Sequence, residues 1–161
     1  MRVLVISDNH GEKNILNEVY DVVKPDAAIH LGDSEFPYDS EEISKYLRVK
    51  GNTDRDDTYP KEGLFEEASM FYTHGHLYGI KQDRQQLAEK ADEVGAKYAL
   101  YGHSHVAKVE RLNGVYCINP GSISSSRNEY PESYLVIDTD NNLASYYSRK
   151  HQLMDEFSLK E

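Results

Sequence analysis

Cysteine is nearly absent. Cys117 stands alone among 161 residues, so there is no disulfide framework and no cysteine-based zinc site, which fits a reducing, cytoplasmic setting. Positive charge is also scarce: 18 Lys and Arg against 28 Asp and Glu give a formal net charge of −10. Phosphate backbones are gripped by clustered cations, so the balance excludes extended nucleic acid as a partner. An anionic ligand needs a local source of positive charge, such as bound metal ions. Long apolar runs are missing too, and none approaches the roughly 20 residues of a membrane-spanning helix. The first apolar run ends at Asp8, too short for the core of a secretory leader, and reads as a buried strand.

What remains is enough for one domain spanning residues 1–161, with 39% hydrophobic and 29% charged residues. Residues 2–7 form a β-branched-rich run, as in a strand buried on both faces. Ile15, Leu16, Val19, Tyr20 and Val23 recur at helical spacing within 12–23, and Pro25 stops the helix. Strands are expected at 27–31 and 46–50, with a short helix at 40–45 between them; this β-α-β-α-β opening points to a parallel α/β core. The second half is more hairpin-like. Segments 64–67 and 70–73 flank a tight turn at Ala68-Ser69, residues 83–94 make a helix closed by Gly95, and 97–101 make a strand. Asn113-Gly114 joins strands 106–111 and 115–119, while 134–138 and 143–147 form a closing hairpin. The tail from Arg149 reads as polar and peripheral.

Polar residues collect immediately after the strands. Asp8-Asn9-His10, Gly32-Asp33 (with His30 before it), Gly51-Asn52-Thr53-Asp54, His74-Gly75-His76 and Gly102-His103-Ser104-His105 each follow one. Ligand sites in open α/β sheets form beyond the carboxyl ends of strands. Any one of these residues alone is an ordinary turn residue or a satisfied core histidine; five such endings together are a site. Gly11, Gly32, Gly51, Gly75 and Gly102 sit beside the clusters, where close backbone approach is needed.

Imidazole and carboxylate together suit manganese, iron, zinc, nickel or cobalt better than magnesium or calcium. Asp8, His10, Asp33, Asn52, His74, His103 and His105 are seven candidate ligands, too many for one tetrahedral ion and suited to two. Two dications, two aspartates and a bridging hydroxide leave about one positive charge, which attracts a phosphoryl oxyanion. A serine nucleophile is not supported: neither Gly102-His103-Ser104-His105-Val106 nor Gly121-Ser122-Ile123-Ser124-Ser125 completes G-x-S-x-G. Ser104 reads instead as a small residue making turn hydrogen bonds.

The ordered series D-x-H, G-D, G-N-x-D, H-G-H and G-H-x-H, with the later Asn119-Pro120-Gly121-Ser122, resembles the calcineurin-like metallophosphoesterases and especially their small YfcE-type members. The resemblance implies a four-layer α/β/β/α sandwich and a metal-dependent phosphodiesterase. Asp8, His10, Asp33 and His105 would hold one ion, and Asp33, as bridge, with Asn52, His74 and His103 the other. A metal-bridging hydroxide would attack phosphorus. It implies two divalent transition-metal ions, manganese foremost, and a small phosphoester substrate. Asn52, Asp54 and His76 are the expected catalytic positions, with His76 touching substrate or a ligand residue. Arg127, just beyond the N-P-G-S turn, is the expected substrate-phosphate contact.

One position departs from the pattern. Many relatives carry histidine where this chain has Thr53, which supplies neither positive charge nor a strong acid at neutral pH. Aryl-oxide leaving groups should tolerate this better than alkoxides. The rival readings are a phosphomonoesterase or nuclease on the same site, or a non-catalytic interaction protein like the retromer scaffold subunit. The last would show lost ligands, whereas all seven positions are filled. Sheet edges in such folds commonly pair, which leaves room for a homo-oligomer.

Overall fold

The computed structural model describes residues 1–126 and 131–160. In chain order the elements are β1 (Arg2–Ile6), α1 (Ile15–Val23), β2 (Ala27–His30), β3 (Leu47–Arg48), β4 (Glu62–Phe65), a 3-10 turn (Glu66–Ala68) and β5 (Met70–Thr73). They continue with α2 (Gln85–Glu93), β6 (Tyr98–Leu100), β7 (Lys108–Leu112), β8 (Val115–Asn119), β9 (Ser133–Asp138), β10 (Leu143–Ser148) and β11 (Leu153–Ser158). Two mixed sheets result, ordered β11-β10-β9-β1-β2-β3 and β4-β5-β6-β8-β7.

Alternation along β1 shows how the layers stack. Val3 and Val5 point into a central core shared with Met70, Tyr72, Leu100 and Ile118 of the second sheet. Leu4 and Ile6 point the other way, onto Ile15, Leu16, Val19 and Val23 of α1. The second sheet repeats the logic: Phe71, Ala99 and Cys117 turn outward onto Leu87, Ala88 and Ala91 of α2. A strand with period 2 thus serves two cores at once, and three cores separate four layers, α/β/β/α. Each fully buried Leu, Ile or Val contributes about 1.5–3 kcal/mol. No described helix is long and apolar enough to cross a membrane.

Three local expectations are corrected. Residues 40–45 form successive turns rather than a helix: Ser40 Oγ accepts the Glu42 N–H, and bonds such as Ile43 N–H to the Ser40 carbonyl are of i→i+3 type. The Ala68-Ser69 turn is longer, a 3-10 turn with Ser69 left-handed after it. The tail is not peripheral: β11 pairs antiparallel with β10, Met154 and Phe157 pack on the central core, and Leu159 is buried. A register shift between Tyr146 and Tyr147 breaks the pairing there, and the apolar residues of β11 do not alternate, so the strand's usual signature is missing.

β1, β2 and β3 run parallel, as do β5, β6 and β8. The loops after them are laced together by backbone bonds. Asp8 N–H reaches the Gly32 carbonyl, His10 N–H the Asp33 carbonyl, and Gly102 N–H the His74 carbonyl, at 2.8–3.1 Å. All five polar endings therefore meet at one end of the sandwich.

Candidate metal centre

Asp8 lies at the centre. Its side chain is fully buried, and its Oδ2 accepts from Ser7 Oγ at 2.5 Å and from the His103 N–H at 3.3 Å. Its Oδ1 is buried without a hydrogen-bond partner among the described residues. A lone buried carboxylate oxygen is costly unless a cation faces it.

The histidines around it have their tautomers fixed from behind. His74 Nδ1 donates to the Leu31 carbonyl and His105 Nδ1 to the Ser125 carbonyl, both at 2.7 Å; His10 Nδ1 donates to Glu35 Oε2 at 2.9 Å. Carbonyls and carboxylates only accept, so in each neutral ring the lone pair sits on Nε2. Those lone pairs converge. His10 Nε2 and His105 Nε2 are 3.2 Å apart, and His105 Nε2 is 3.3 Å from Asp8 Oδ1. His74 Nε2 is 3.3 Å from Asp33 Oδ2, 3.9 Å from Asp8 Oδ1 and 3.0 Å from Asn52 Oδ1. His103 turns Nδ1 to the same Asn52 oxygen at 3.1 Å.

So many carboxylate and amide oxygens and ring nitrogens packed this closely call for shared positive charge, and the mix of oxygen and nitrogen donors fits divalent ions. Among the described residues, two groups of metal-ligand atoms are close enough to share an ion each: Asp8, His10 and His105, and Asp8, Asp33 and His74. Asn52 and His103 border the second group. The residue common to both groups is Asp8, where the resemblance implied Asp33 as the bridge.

Electrostatics point the same way. Burial alone would raise Asp33, but the His74 hydrogen bond and charge and the Thr53 N–H hold its carboxyl well below the usual range. Burial pulls His74 down, and the Asp33 and Asp8 carboxylates more than reverse it, so this corner calls for positive charge. His103 is pushed down to about 4, by burial first and then by His74.

The backbone is strained where the ligands sit. Asp8, His10, Asp33, His103 and His105 all have φ between +46° and +68°. Each such residue costs on the order of 1 kcal/mol, and strain of this kind gathers at functional sites. Gly51 and Gly102 serve another need, close approach: a Cβ on Gly51 would strike Asp33 Oδ1, and one on Gly102 would strike Ser7 Oγ and lie 2.8 Å from Asp8 Oδ2.

Behind the ligands stands a polar brace. Asp54 is buried and accepts from the backbone N–H groups of Asp33 (2.9 Å), Gly51 (2.7 Å) and Glu35 (2.7 Å), so its carboxylate points at backbone, away from the ligand atoms. Burial, its largest influence, nevertheless raises its pKa above the ordinary value. His30 donates to Asn9 Oδ1 at 2.8 Å and accepts the Gly32 N–H; burial drives its pKa down to about 3, so it is a neutral core histidine. Asn119 Nδ2 donates to the Gly102 carbonyl and to Ser104 Oγ, and Ser122 Oγ donates to the Asp8 carbonyl. The N-P-G-S turn thus holds both the first and the last ligand loops, and Ser104 makes the turn bonds expected of it.

A cleft of about 630 Å³ opens over the ligands, lined among others by His10, Thr53, Lys81, His103, Ser124 and Ser125. His76 lies outside both tight groups. It is exposed, its ring centroid 5.5 Å from that of His74, beside Lys50 and Lys61 in a side cleft. Arg127 falls outside the described residues. Glu35 and Lys81 escaped the sequence reading: Glu35 holds His10 and accepts from Thr53 Oγ1 at 3.2 Å. Neither belongs to a motif, and a lone charge in a loop carries no signal of its own.

Comparison with known proteins gives a consistent result. Residues 1–142 match the calcineurin-like phosphoesterase superfamily domain. The chain is 39% identical over 149 residues to a Bacillus subtilis protein named "Probable metallophosphoesterase YsnB", covering 90% of this chain and 88% of that one. It is 29% identical over 142 residues to the phosphodiesterase YfcE of Escherichia coli, covering 82% and 68%. A crystal structure of a predicted phosphoesterase from Streptococcus pneumoniae superposes with a TM-score of 0.89 at 36% identity, over 98% of this chain and 97% of that one.

Proposed function

The chain belongs to the calcineurin-like phosphoesterase superfamily, and on that premise we propose that it is a two-metal phosphodiesterase acting on small, activated diesters. The observation that carries the reading is the convergence of Asp8 Oδ1, buried with no hydrogen-bond partner among the described residues, on His105 Nε2 at 3.3 Å, with His10 Nε2 a further 3.2 Å from His105 Nε2. Asp8, His10 and His105 would hold one ion; Asp33, Asn52, His74 and His103, with Asp8 alongside, would hold the second. Manganese is the first choice, and iron, zinc, nickel and cobalt fit the same donors. Bound divalent ions supply Lewis-acid polarisation of phosphoryl oxygens and acidify water.

The chain's own groups do the rest. Glu35, Leu31 and Ser125 keep three imidazoles in the tautomer that points Nε2 into the cleft. Asp54 acts as a positioning residue, fixing the Asp33 and Gly51 loops relative to each other. Asn52 bridges His74 and His103 at the rim, and His76 stands where substrate would pass that rim. Thr53 hydrogen-bonds Asp33 through its N–H and Glu35 through its hydroxyl, and offers no strong acid to a departing alkoxide. Diesters with good leaving groups are therefore the substrates this site serves best, in keeping with the similarity to YfcE.

Hydrolysis of an aryl phosphodiester with added manganese tests the proposal. Turnover is expected in the wild type and should fall by more than about 100-fold in Asp33→Asn and in His103→Ala, beyond the loss usual for outer-sphere changes. Metal-loaded, folded wild-type protein that leaves the diester intact would sink it.

A further inference from the structure

A second cavity of about 370 Å³ adjoins the metal cleft on the α2 side, lined by Ile80, Lys81, Arg84, Tyr101, Ser104, Val106 and Lys108. Lys81 lines both cavities, and Ser104 lies between the two ligand histidines His103 and His105. A molecule seated on the metal ligands can therefore extend over this loop without leaving the protein. We infer that this cavity is a substrate subsite for a flat or apolar group carrying a second phosphate, as in a nucleotide whose reacting phosphoester lies over the metal centre. The inference rests on the proposed phosphoesterase reading and adds the kind of substrate it takes.

The floor and rim divide the work. Ile80 and Tyr101 are each 2% exposed and form an apolar floor with Val106, suited to a base or similar ring. Lys81, Arg84 and Lys108 ring it with positive charge. Glu110 neutralises one of the three: Arg84 donates to it from Nε and Nη2, along one guanidinium edge, and Lys108 Nζ lies 3.9 Å from it. Lys81 pairs with no carboxylate among the described residues. Two positive charges thus remain uncompensated at this spot on a chain of net charge −10. Such local charge in a cleft is what draws a small anion to an acidic protein. Arg84 Nη1 also donates to the Ile80 carbonyl, so the guanidinium is a fixed wall, while the two lysines are the mobile phosphate contacts. Ser104 Oγ accepts from Asn119 Nδ2 and the Val106 N–H, which leaves its own proton to donate to a ligand.

Calorimetry on manganese-loaded protein tests the subsite with thymidine 3′,5′-bisphosphate against thymidine 3′-monophosphate. The bisphosphate should bind about tenfold tighter, the increment of one or two charge-assisted contacts. In Lys81→Ala/Lys108→Ala the two affinities should become nearly equal, and in Lys81→Arg/Lys108→Arg the preference should persist. Both lysines are exposed, so the fold should tolerate either pair of changes. Equal affinities in the wild type, or a preference that survives the alanine pair, would overturn the subsite. Aryl diester turnover by the same wild-type preparation reports separately on the activity. Turnover without bisphosphate preference rejects the subsite and retains the phosphodiesterase; preference without turnover does the reverse.

Discussion

Asp8 Oδ1 is a buried oxygen with no hydrogen-bond partner among the described residues, and much of the site's chemistry follows from it. At this scale the sequence was highly legible. Asp8, His10, Asp33, Asn52, His74, His103 and His105 stood out because metal-ligand side chains after strands have few other reasons to recur. Glu35, Lys81 and the Ser125 carbonyl were not legible, because they act through tertiary contacts. Thr53 gives a residue-level prediction. In Thr53→His, turnover of alkyl diesters should rise by about tenfold or more while that of aryl diesters changes little, since only the poor leaving group needs an acid. The ratio of the two rates measures this, and an unchanged ratio would remove the assigned role. Asp54 gives another. Asp54→Ala strips the acceptor from three backbone N–H groups, two of them in buried bonds, and should cost about 2–3 kcal/mol in urea unfolding, with weaker manganese retention.

Loops after strands are the elements that make the site, and their geometry depends on what lies beside them. Gly102 illustrates it. Its Cβ-less backbone leaves room for Ser7 Oγ and Asp8 Oδ2, so Gly102→Ala should destabilise by about 1–3 kcal/mol and lower bound manganese. Gly114→Ala is the control: the hairpin glycine has φ +80° and open space around it, so it should lose only about 1 kcal/mol and no metal. Thermal melts and metal content of the two variants separate close approach from backbone strain. The strands themselves were mostly readable from period and turn residues, and the Asn113-Gly114 hairpin was found with its second strand at 115–119. What escaped was β11, whose Met154 and Phe157 lie three apart across an irregular ladder, and the 40–45 segment, where side-chain bonds from Ser40 favour turns over a helix.

Across the whole molecule, the turn after β10 ties down the loop between β1 and α1 and the loop after β8. Arg149 holds Glu12 through both guanidinium nitrogens and donates to the Ile123 carbonyl, while Glu12 also accepts from Ser124. The Arg149 hydrogen bond keeps the Glu12 carboxyl below its ordinary value. Its stabilisation is therefore complete above about pH 4.5 and is lost as the pH falls through the lowered value. Both groups are about one-third exposed, so the effect should be at most about 1 kcal/mol. Arg149→Ala should narrow the gap between stability at pH 6 and pH 4, read from urea midpoints. Four layers were expected from the family resemblance alone; the sheet pairing that builds them involves contacts far apart in sequence, which periodicity does not reveal.

Elemental analysis of folded protein after manganese loading and dialysis measures the centre itself. Wild type should carry about two ions per chain, and Asp8→Ala, which removes the oxygen common to both ligand groups, should carry fewer than one. Wild-type protein that retains no manganese, or an Asp8→Ala variant that keeps both ions, would contradict the two-metal site.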